Sequence, residues 1–447
     1  MSSTGGTIFT KLRLTVGTPA SRAEFIVESY TGVIYTGTVT SNSPVVIDIP
    51  SNLQVKYQDY SNRQKGVHIY STGDELIFVV IETYVYFLNH GTYVAYPSAR
   101  YEDETSYEYY VISTGEPEGY YFSQFLLVGC ENDTTITITP SKEVELPENL
   151  QEPHSAYLGI NPGSTSHQLK LHQMQTLLLI SSEDLTGTKI TSNKPLTVIS
   201  GHECANVPLS ASGCEPLAVQ VPPVATWGTR FLLAPFAGRS SNQTFKAISS
   251  KNSTSFISIC GMNYTQITHN AAVFSLNTNE YCYLESTESM LLIQLSPGVT
   301  TDYKGDPAIA LISPIDQYVH EIEFISLPTS DFLSSFISVT VPAEHYSPNQ
   351  ILLDGAAINC EWQEVYDIDR NVIGFGCSKA LFSEASMPTQ HTVSHLAHGG
   401  LLSVLAYGFN SASPARGYAY LTGQKLKISN ETDSESKLSG MHVYSLT

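Results

Sequence analysis

The sequence predicts an all-β protein, and three observations support that fold class. Apolar runs of about five to eight residues recur along the chain, rich in Val, Ile, Thr, Tyr and Phe and bounded by Gly, Pro, Asn or Ser. No long segment keeps the hydrophobic period of a helix. The 27 tyrosines and 17 phenylalanines fit strands as well, because flat rings pack well on a pleated surface.

Each apolar run has the length and composition of one strand in a half-buried sheet. Pro44 and Pro195 each lie at the entry to a strand, where the missing backbone N–H is tolerated. In chain order the runs are AEFIVES, ELIFVVIE, SQFLLVG, TTITITP, QTLLLIS, PLTVIS, SFISIC, MLLIQLS, SFISVTV and LLSVLAYG.

Internal similarity divides the 447-residue chain into units. The segment GTKITSNKPLTVIS from Gly187 is similar to GTVTSNSPVVIDI from Gly37, and FLLVGCENDTTITITP from Phe125 is similar to the segment that begins at Phe231. These similarities predict units of about a hundred residues. The predicted units are 1–105, 106–218, 219–310 and 311–428, followed by a polar tail at 429–447.

The number of strands per unit bears on the architecture. About seven strands in a hundred residues suit a two-sheet sandwich, so we predict tandem β-sandwich-like repeats. A β-propeller-like arrangement of more numerous, smaller blades uses the same residue types and stays the alternative.

Composition excludes several classes of partner. The chain has 42 acidic and 22 basic residues, and its net charge of -20 opposes attraction to nucleic acid or to an anionic membrane. No run approaches the roughly 18 apolar residues that span a bilayer, so no membrane insertion is predicted. Met1–Thr10 lacks the pattern of a secretory signal, which leaves two interpretations: a chain whose leader has been removed, or a cytosolic chain.

The seven cysteines divide into three local pairs and one further residue. Disulfides and buried reduced thiols both agree with this spacing. No C-x-x-C is present, so a zinc site would have to be assembled from scattered ligands, and we predict no metal. The local pairs are Cys204 with Cys214, Cys260 with Cys282 and Cys360 with Cys377, and Cys130 is the remaining cysteine.

Five N-x-S/T triplets are candidate N-glycosylation sites. Their number is close to what the composition yields by chance, so they permit secretion without establishing it. The acceptor residues are Asn132, Asn242, Asn252, Asn263 and Asn430.

The histidines and acidic loops suggest metal sites only weakly. His391, His395 and His398 would align two ligands on a helix, but their flanking residues predict a strand, where positions four apart are well separated. The segment Asp367–Asn371 begins like an EF-hand loop, yet Val372 replaces the required glycine and no acidic residue closes the loop. Glu131 and Asp133 form a second acidic turn that could contribute to a different calcium site.

The sequence contains no pattern for catalysis or for a cofactor. There is no G-x-S-x-G nucleophile elbow, and Gly399 and Gly400 lack the lysine and helix of a phosphate-binding loop. Cys204 beside His202 is the nearest nucleophile–base pair, and a disulfide would consume that thiol. We therefore predict no catalytic residue and no cofactor.

Exposed aromatic residues are the candidate binding residues, because tyrosine and tryptophan combine a large contact area with a polar tip. The stretch from Tyr101 to Phe122 is unusually rich in tyrosine and acid, and it is either a recognition surface or a tyrosine-rich strand pair. For each candidate, burial in a core is an equal alternative. The candidates are Trp227, Tyr120, Tyr121, Tyr407 and Tyr418.

Several motifs resemble, in order, those of the N-terminal domain family of the IgG Fc-binding protein. The central ones are DLTGTKITSNKPLTVISGHECANVP and, after Cys214, VPPVATWGTRF. KGVHIYSTGDELIFVV, YYVISTG and FLLVGCENDTTITITP precede them, and GDPAIALISPIDQY, LLDGAAI and LLSVLAYGFNSASPARGYAYLTGQKL follow. The resemblance covers nearly the whole chain, and the order of the motifs makes it specific.

The resemblance implies an extracellular, disulfide-containing, non-catalytic module, within a larger multidomain protein. It also implies that Cys204 and Cys214 tie a loop, and it supplies no catalytic residues for this chain. The leading hypothesis is a secreted module that binds a glycoprotein, an extracellular-matrix component or a microbial surface, in adhesion or in mucosal or innate defence. A polysaccharide-acting enzyme and a structural spacer are the alternatives.

Overall fold

The computed structural model describes residues 10–55, 64–85, 89–98, 106–114, 121–141, 165–251, 255–260, 262–267, 271–327, 334–381, 387–410, 415–426 and 443–445. Strands predominate throughout these ranges, which confirms the all-β prediction. Within these ranges, helical structure is limited to α1 (Val299–Asp302) and to 3-10 turns at Ser51–Leu53, Val224–Thr226, Ile315–Gln317, Ala343–His345 and Pro348–Gln350.

The first unit is a sandwich of two antiparallel sheets. It contains β1 (Thr10–Gly17), β2 (Ala23–Ser29), β3 (Gly32–Val39), β4 (Val45–Ile49), β5 (Val67–Ser71), β6 (Phe78–Val85), β7 (Asn89–Ala95) and β32 (Val443–Ser445). The sheet orders are β4-β1-β6-β7 and β3-β2-β5-β32. Because side chains alternate along a strand, Leu12 and Leu14 of β1 share one buried cluster with Phe25 and Val27 of β2.

The second unit is also a two-sheet sandwich. It contains β8 (Tyr107–Tyr110), β9 (Ser123–Gly129), β10 (Thr134–Thr139), β11 (His167–Leu171), β12 (Thr176–Ser181), β13 (Lys189–Ser192), β14 (Leu196–Ala205) and β15 (Glu215–Gln220). The sheet orders are β11-β10-β13-β8 and β12-β9-β14-β15. Leu127 of β9 faces the core of its own unit, whereas Leu126 and Val128 join the core of the first unit. Burial on both faces explains the continuous apolar run in β9.

The third unit has two layers that share one long strand. It contains β16 (Gly228–Leu233), β17 (Gln243–Ser249), β18 (Ser255–Ile259), β19 (Met262–Ile267), β20 (Ala272–Leu276), β21 (Cys282–Ser296) and β22 (Ala308–Leu311). The first part of β21 pairs with β16 and β18, and its last part pairs with β17 and β22. One strand of 15 residues therefore belongs to both layers.

The fourth unit again has two sheets. It contains β23 (Glu321–Ser326), β24 (Ser334–Pro342), β25 (Ile351–Leu353), β26 (Ala356–Ala357), β27 (Gln363–Tyr366), β28 (Val372–Leu381), β29 (Thr389–His395), β30 (Ser403–Asn410) and β31 (Arg416–Leu421). The sheet orders are β23-β29-β25-β26 and β27-β28-β24-β30-β31. The tandem sandwich prediction is confirmed, because the units are built of two layers rather than of single propeller blades.

An edge strand from each unit meets the others at a common centre. β7 lies beside β15, β15 beside β22, β22 beside β31, and β31 beside β7. Across the first junction, the Gln220 side chain and the Tyr96 backbone exchange two hydrogen bonds of 2.9 Å. The apolar core also continues across the unit boundaries. This ring of strands covers four sheet edges that would otherwise be open to another chain.

The tail differs from expectation in one segment. Val443–Ser445 forms β32 and pairs with β5 of the first unit, with Val443 opposite Ile69. The pairing is antiparallel, with Tyr444 opposite His68 and Ser445 opposite Val67.

The three predicted disulfides are all present. Cys204 is bonded to Cys214, Cys260 to Cys282 and Cys360 to Cys377. Cys130 is a buried thiol whose Sγ lies 3.5 Å from Thr197 Oγ1, and burial raises the pKa of this thiol to about 11. It is therefore a packed core residue in this structure and not a surface cysteine available to another chain.

Removing the Cys204–Cys214 bond by the double substitution Cys204→Ser/Cys214→Ser is expected to lower the free energy of unfolding by about 2 to 3 kcal/mol, because the bond restricts the unfolded loop. Denaturant unfolding under non-reducing conditions measures this change. The matched control is Cys130→Ala, which leaves all three disulfides in place. An unchanged midpoint in the double variant would contradict the prediction.

Candidate functional site

The loop closed by Cys204 and Cys214 connects β14 to β15 and is held from both sides. On one side, the backbone N–H of Glu203 donates to the carbonyl of Phe122 at 2.9 Å. On the other, the N–H of Gly298 donates to the carbonyl of Val207 at 2.7 Å, and the N–H of Ser212 donates to Thr300 Oγ1 at 2.8 Å. The loop is thus seated between the segment at 121–122 and α1.

Three large side chains with substantial apolar surface are exposed around this loop. Tyr303, directly after α1, is 79% exposed, Leu209 at the loop tip is 51% exposed, and Tyr121 is 41% exposed. We call these three side chains the loop face. Aromatic and aliphatic side chains held at a rigid surface are typical contact residues of binding sites.

The backbone at Tyr303 is strained. Its φ of 61° lies in the left-handed region, which non-glycine residues adopt rarely and at a cost of about 1 kcal/mol or more. The exposed ring contributes little burial to offset that cost. This conformation ends α1, because the N–H of Tyr303 donates to the carbonyl of Val299 as an αL cap.

A buried ion pair fixes the turn that presents Tyr303. Asp302 accepts hydrogen bonds from Arg239 Nε and Nη2, both at 2.8 Å, and each of the two side chains is 1% exposed. The backbone N–H of Lys304 also donates to Asp302 Oδ1 at 3.2 Å, so the residues on both sides of Tyr303 are anchored. Burial alone would raise the pKa of Asp302, but the hydrogen bond and the charge of Arg239 outweigh it, and the pKa is lowered.

Three of the five candidate binding residues are interior residues, as in the core-packing alternative given for each of them. Trp227, Tyr407 and Tyr418 are each at most 2% exposed. Their polar atoms are satisfied internally: Trp227 Nε1 donates to the Pro222 carbonyl at 3.0 Å, and Tyr418 Oη donates to Ser335 Oγ at 3.1 Å. Tyr121 is exposed and belongs to the loop face, and Tyr120 lies outside the described residues.

The tyrosine-rich stretch belongs in part to the core. Tyr107, Tyr109 and Tyr110 of β8 are buried in the cluster of the second unit. The neighbouring residues 101–105 and 115–120 lie outside the described ranges. The described tyrosines therefore follow the strand interpretation and not that of a recognition surface.

The candidate glycosylation sites lie in different settings. Asn132 and Asn242 are exposed, so a glycan could be attached at either without entering the core. Asn263 lies in β19, but its side chain is not among those described, and Asn252 and Asn430 fall outside the described residues.

The structure reveals a Ser–His–Asp hydrogen-bonded chain in the fourth unit. His391 Nε2 lies 3.0 Å from Ser326 Oγ, and His391 Nδ1 lies 2.8 Å from Asp354 Oδ2. Ser326 is only 2% exposed, however, so a substrate carbonyl cannot reach its hydroxyl in this conformation. We therefore interpret these two hydrogen bonds as packing contacts between β23, β29 and the turn at Asp354.

The remaining candidate metal residues are also occupied by local contacts or dispersed. His395 Nε2 lies 2.7 Å from the carbonyl of His345, and His398 is exposed. The carboxylate of Asp367 accepts two hydrogen bonds from Asn371, at 2.8 and 2.9 Å. Within the part of the chain that the structure describes, no group of three or more His, Cys, Asp or Glu side chains is placed to hold a metal ion.

The loop face was missed as a group by sequence reasoning. Leu209 and Tyr303 are isolated apolar residues within polar turns, and they have no periodic pattern to mark them. A lone large apolar residue in a polar loop was the one available signal. Leu209 lies in the disulfide loop, whereas Tyr303 follows α1, and only folding brings α1 against that loop.

Fold and site together define a disulfide-bonded, multi-sandwich β-protein with a candidate contact surface. Residues 91–408 match the sequence profile of the IgGFc binding protein family, and the chain belongs to that family. It is 22% identical over 209 residues to the IgGFc-binding protein of Homo sapiens, a match that covers 46% of this chain but 4% of the human protein. The family resemblance found in the sequence is confirmed.

Among the described residues, no helix has both the length and the apolar character needed to cross a membrane.

Proposed function

We propose that this chain is an extracellular, non-catalytic binding module whose loop face contacts a protein or glycan ligand. The exposed, strained and doubly anchored Tyr303 is the single observation that carries this proposal. Membership of the IgGFc binding protein family supports a binding role. Three disulfides support an oxidising, extracellular compartment.

Binding would depend on surface complementarity over a rigid scaffold. The disulfide and the flanking hydrogen bonds hold the loop before a ligand arrives, so little conformational entropy is lost on binding. Leu209 supplies apolar area, and the rings of Tyr121 and Tyr303 add area together with hydroxyl groups for hydrogen bonds. This combination suits a polar, partly apolar partner such as a glycoprotein.

The proposed ligands are an extracellular glycoprotein, a matrix component or a microbial surface, in adhesion or in mucosal or innate defence. The name of the human relative makes the Fc part of IgG the first protein probe. A panel for the wild-type chain therefore contains IgG Fc, matrix glycoproteins and a glycan array, each measured with and without calcium.

Replacing both Leu209 and Tyr303 with serine is expected to weaken binding to the positive probe by about tenfold or more, because central apolar and aromatic contacts carry most of the energy of an interface. Biolayer interferometry measures the two dissociation constants. Folding of each variant is checked by its thermal unfolding midpoint.

The matched control for this variant is the replacement of Val273 and Leu396 with serine. Each of these residues is 62% exposed, Val273 in β20 of the third unit and Leu396 directly after β29 of the fourth. Loss of binding in the control with full binding in the Leu209/Tyr303 variant would move the site away from the loop face. Release of sugar from a polysaccharide by the wild-type chain would contradict the non-catalytic proposal.

A further inference from the structure

Beneath the loop face, four charged or ionisable residues mark the ends of the four inner strands. His90 lies near the start of β7, Glu215 begins β15, Asp306 lies two residues before β22, and Arg416 begins β31. Each unit therefore sends one such residue to the same end of the central ring. Glu215 follows Cys214 directly, so this cluster forms the floor of the disulfide loop.

Two carboxylate oxygens in this floor lack hydrogen-bond partners among the residues that the structure describes. Glu215 is fully buried; its Oε2 accepts the backbone N–H of His90 at 2.5 Å, but its Oε1 has no hydrogen bond within the described part of the chain. Asp306 is 7% exposed, and its Oδ1 is likewise without a hydrogen bond among the described residues. A buried polar atom left this way costs about 1 to 3 kcal/mol.

Glycines allow Asp306 to sit directly against the loop. Gly213 has a φ of 86°, and a β-carbon at this position would overlap the Asp306 carboxylate. A β-carbon on Gly417 of β31 would overlap the Asp306 carbonyl in the same way. Asp306 is therefore wedged between the disulfide loop and the fourth unit, so that a change in its charge acts directly on how the loop is seated.

The surrounding charges balance when the two acids hold one proton. Burial is the main cause that raises the pKa of Glu215, and the charge of Asp306 raises it further. The hydrogen bond from the His90 N–H and the charge of Arg416 lower it. Burial also raises the pKa of Asp306, against the N–H of Val299 and the charge of Arg239. One proton leaves one carboxylate to balance the guanidinium of Arg416, whereas a divalent cation would leave an excess positive charge.

The other titratable groups nearby already have partners. The His90 ring lies 3.3 Å from Glu82 Oε2, and Arg239 is paired with Asp302. Glu203, at the start of the loop, is exposed at its surface, and burial of the rest of the residue raises its pKa. The Glu215 and Asp306 oxygens are thus the groups through which a proton would act on the seating of the loop.

We propose that Glu215 and Asp306 share one proton, and that this proton holds the disulfide loop in place, so that the loop face is ordered in acid and loosens as the pH rises. The proposal rests on the proposed function for its biological meaning, but the loop movement is measurable without a ligand. The sign follows from linkage. A carboxyl whose folded pKa lies above its ordinary value of 4.5 stabilises fully below that value, and the stabilisation is lost as the pH rises through the folded pKa.

The test is hydrogen–deuterium exchange of peptides covering residues 203–215 in the full chain with its disulfides intact, at pH 5 and pH 8, corrected for intrinsic exchange. Corrected exchange in the wild type is expected to be faster at pH 8 than at pH 5, because the proton that holds the loop is lost as the pH rises. Because Asp306 would still titrate in Glu215→Gln alone, the double variant Glu215→Gln/Asp306→Asn, in which both residues are neutral at both pH values, should remove this difference. The control Glu321→Gln, an exposed acid in the fourth unit, should keep it.

Three outcomes would overturn the proposal: pH-independent exchange in the wild type, persistent pH dependence in the double variant, or protection of the wild-type loop at pH 8 by about 1 mM calcium, which would indicate a cation in place of the proton. If the double variant does not fold, infrared difference spectra of the wild type decide instead. A protonated-carboxyl band that persists well above pH 4.5 supports the shared proton, and its absence overturns it. Ligand binding that ignores pH while the loop responds would count against the proposed function alone.

Discussion

Arg239→Met is expected to lower the free energy of unfolding by about 3 to 5 kcal/mol, because it leaves the buried carboxylate of Asp302 without its counter-charge. Methionine keeps most of the volume but loses every hydrogen bond of the guanidinium, including those to Ser296 Oγ at 2.9 Å and to the carbonyl of Gly305 at 3.1 Å. Chemical denaturation at neutral pH measures the loss. Binding should weaken as well, because the same pair anchors the turn at Tyr303.

The matched control is Arg230→Met. Arg230 also pairs with an aspartate, Asp316, at 3.0 Å, but the side chains of this pair are 45% and 52% exposed. Its loss should cost at most about 1 kcal/mol. Equal losses in the two variants would show that burial does not govern the Arg239 pair.

The pH dependence gives a second check on the Arg239 pair. The pKa of Asp302 is below its ordinary value of 3.8, so its contribution is present above that value and is lost as the pH falls through the folded pKa. The stability difference between the wild type and Arg239→Met should therefore shrink in strong acid. A difference that grows in acid would contradict the assigned direction.

Trp227→Ala is expected to lower the free energy of unfolding by about 3 to 5 kcal/mol, because it leaves a cavity in the core. Trp227 is 2% exposed, and its ring lies 6.0 Å from that of Tyr110 in the second unit. The substitution also removes the hydrogen bond from Trp227 Nε1 to Pro222. Denaturant unfolding measures the change.

Tyr30→Ala is the control for Trp227→Ala, because Tyr30 is 58% exposed and its removal should change stability by about 0.5 kcal/mol or less. Unchanged stability in Trp227→Ala together with a loss of ligand binding would support Trp227 as a ligand-binding residue, as the sequence analysis proposed. A loss of stability alone would establish it as a core residue joining the second and third units.

Local patterns were sufficient for the fold class and for the disulfides. Alternation in β2 buries Phe25 and Val27 on one face, and such alternation is visible in the sequence. The cysteine pairs are close in the chain, with separations of 10, 22 and 17 residues, so few other pairings competed. Both kinds of prediction depend on residues near each other in sequence.

The site depends on contacts that sequence patterns do not record. Tyrosine is a common residue at contact surfaces, but Tyr407 and Tyr418 lie in β30 and β31, which are buried on both faces. The hydroxyl groups of both tyrosines therefore form hydrogen bonds within the protein. Glu215 and Asp306 are brought together only by the ring of inner strands. No local signal distinguishes a buried acid of this kind from an exposed one.

The long strand β21 has a consequence for folding kinetics. In a sandwich whose layers have separate strands, each layer can form its own ladder before the two dock, but here a single continuous strand pairs in both. Formation of one layer then aligns the shared strand for the other, so the third unit should acquire its structure cooperatively.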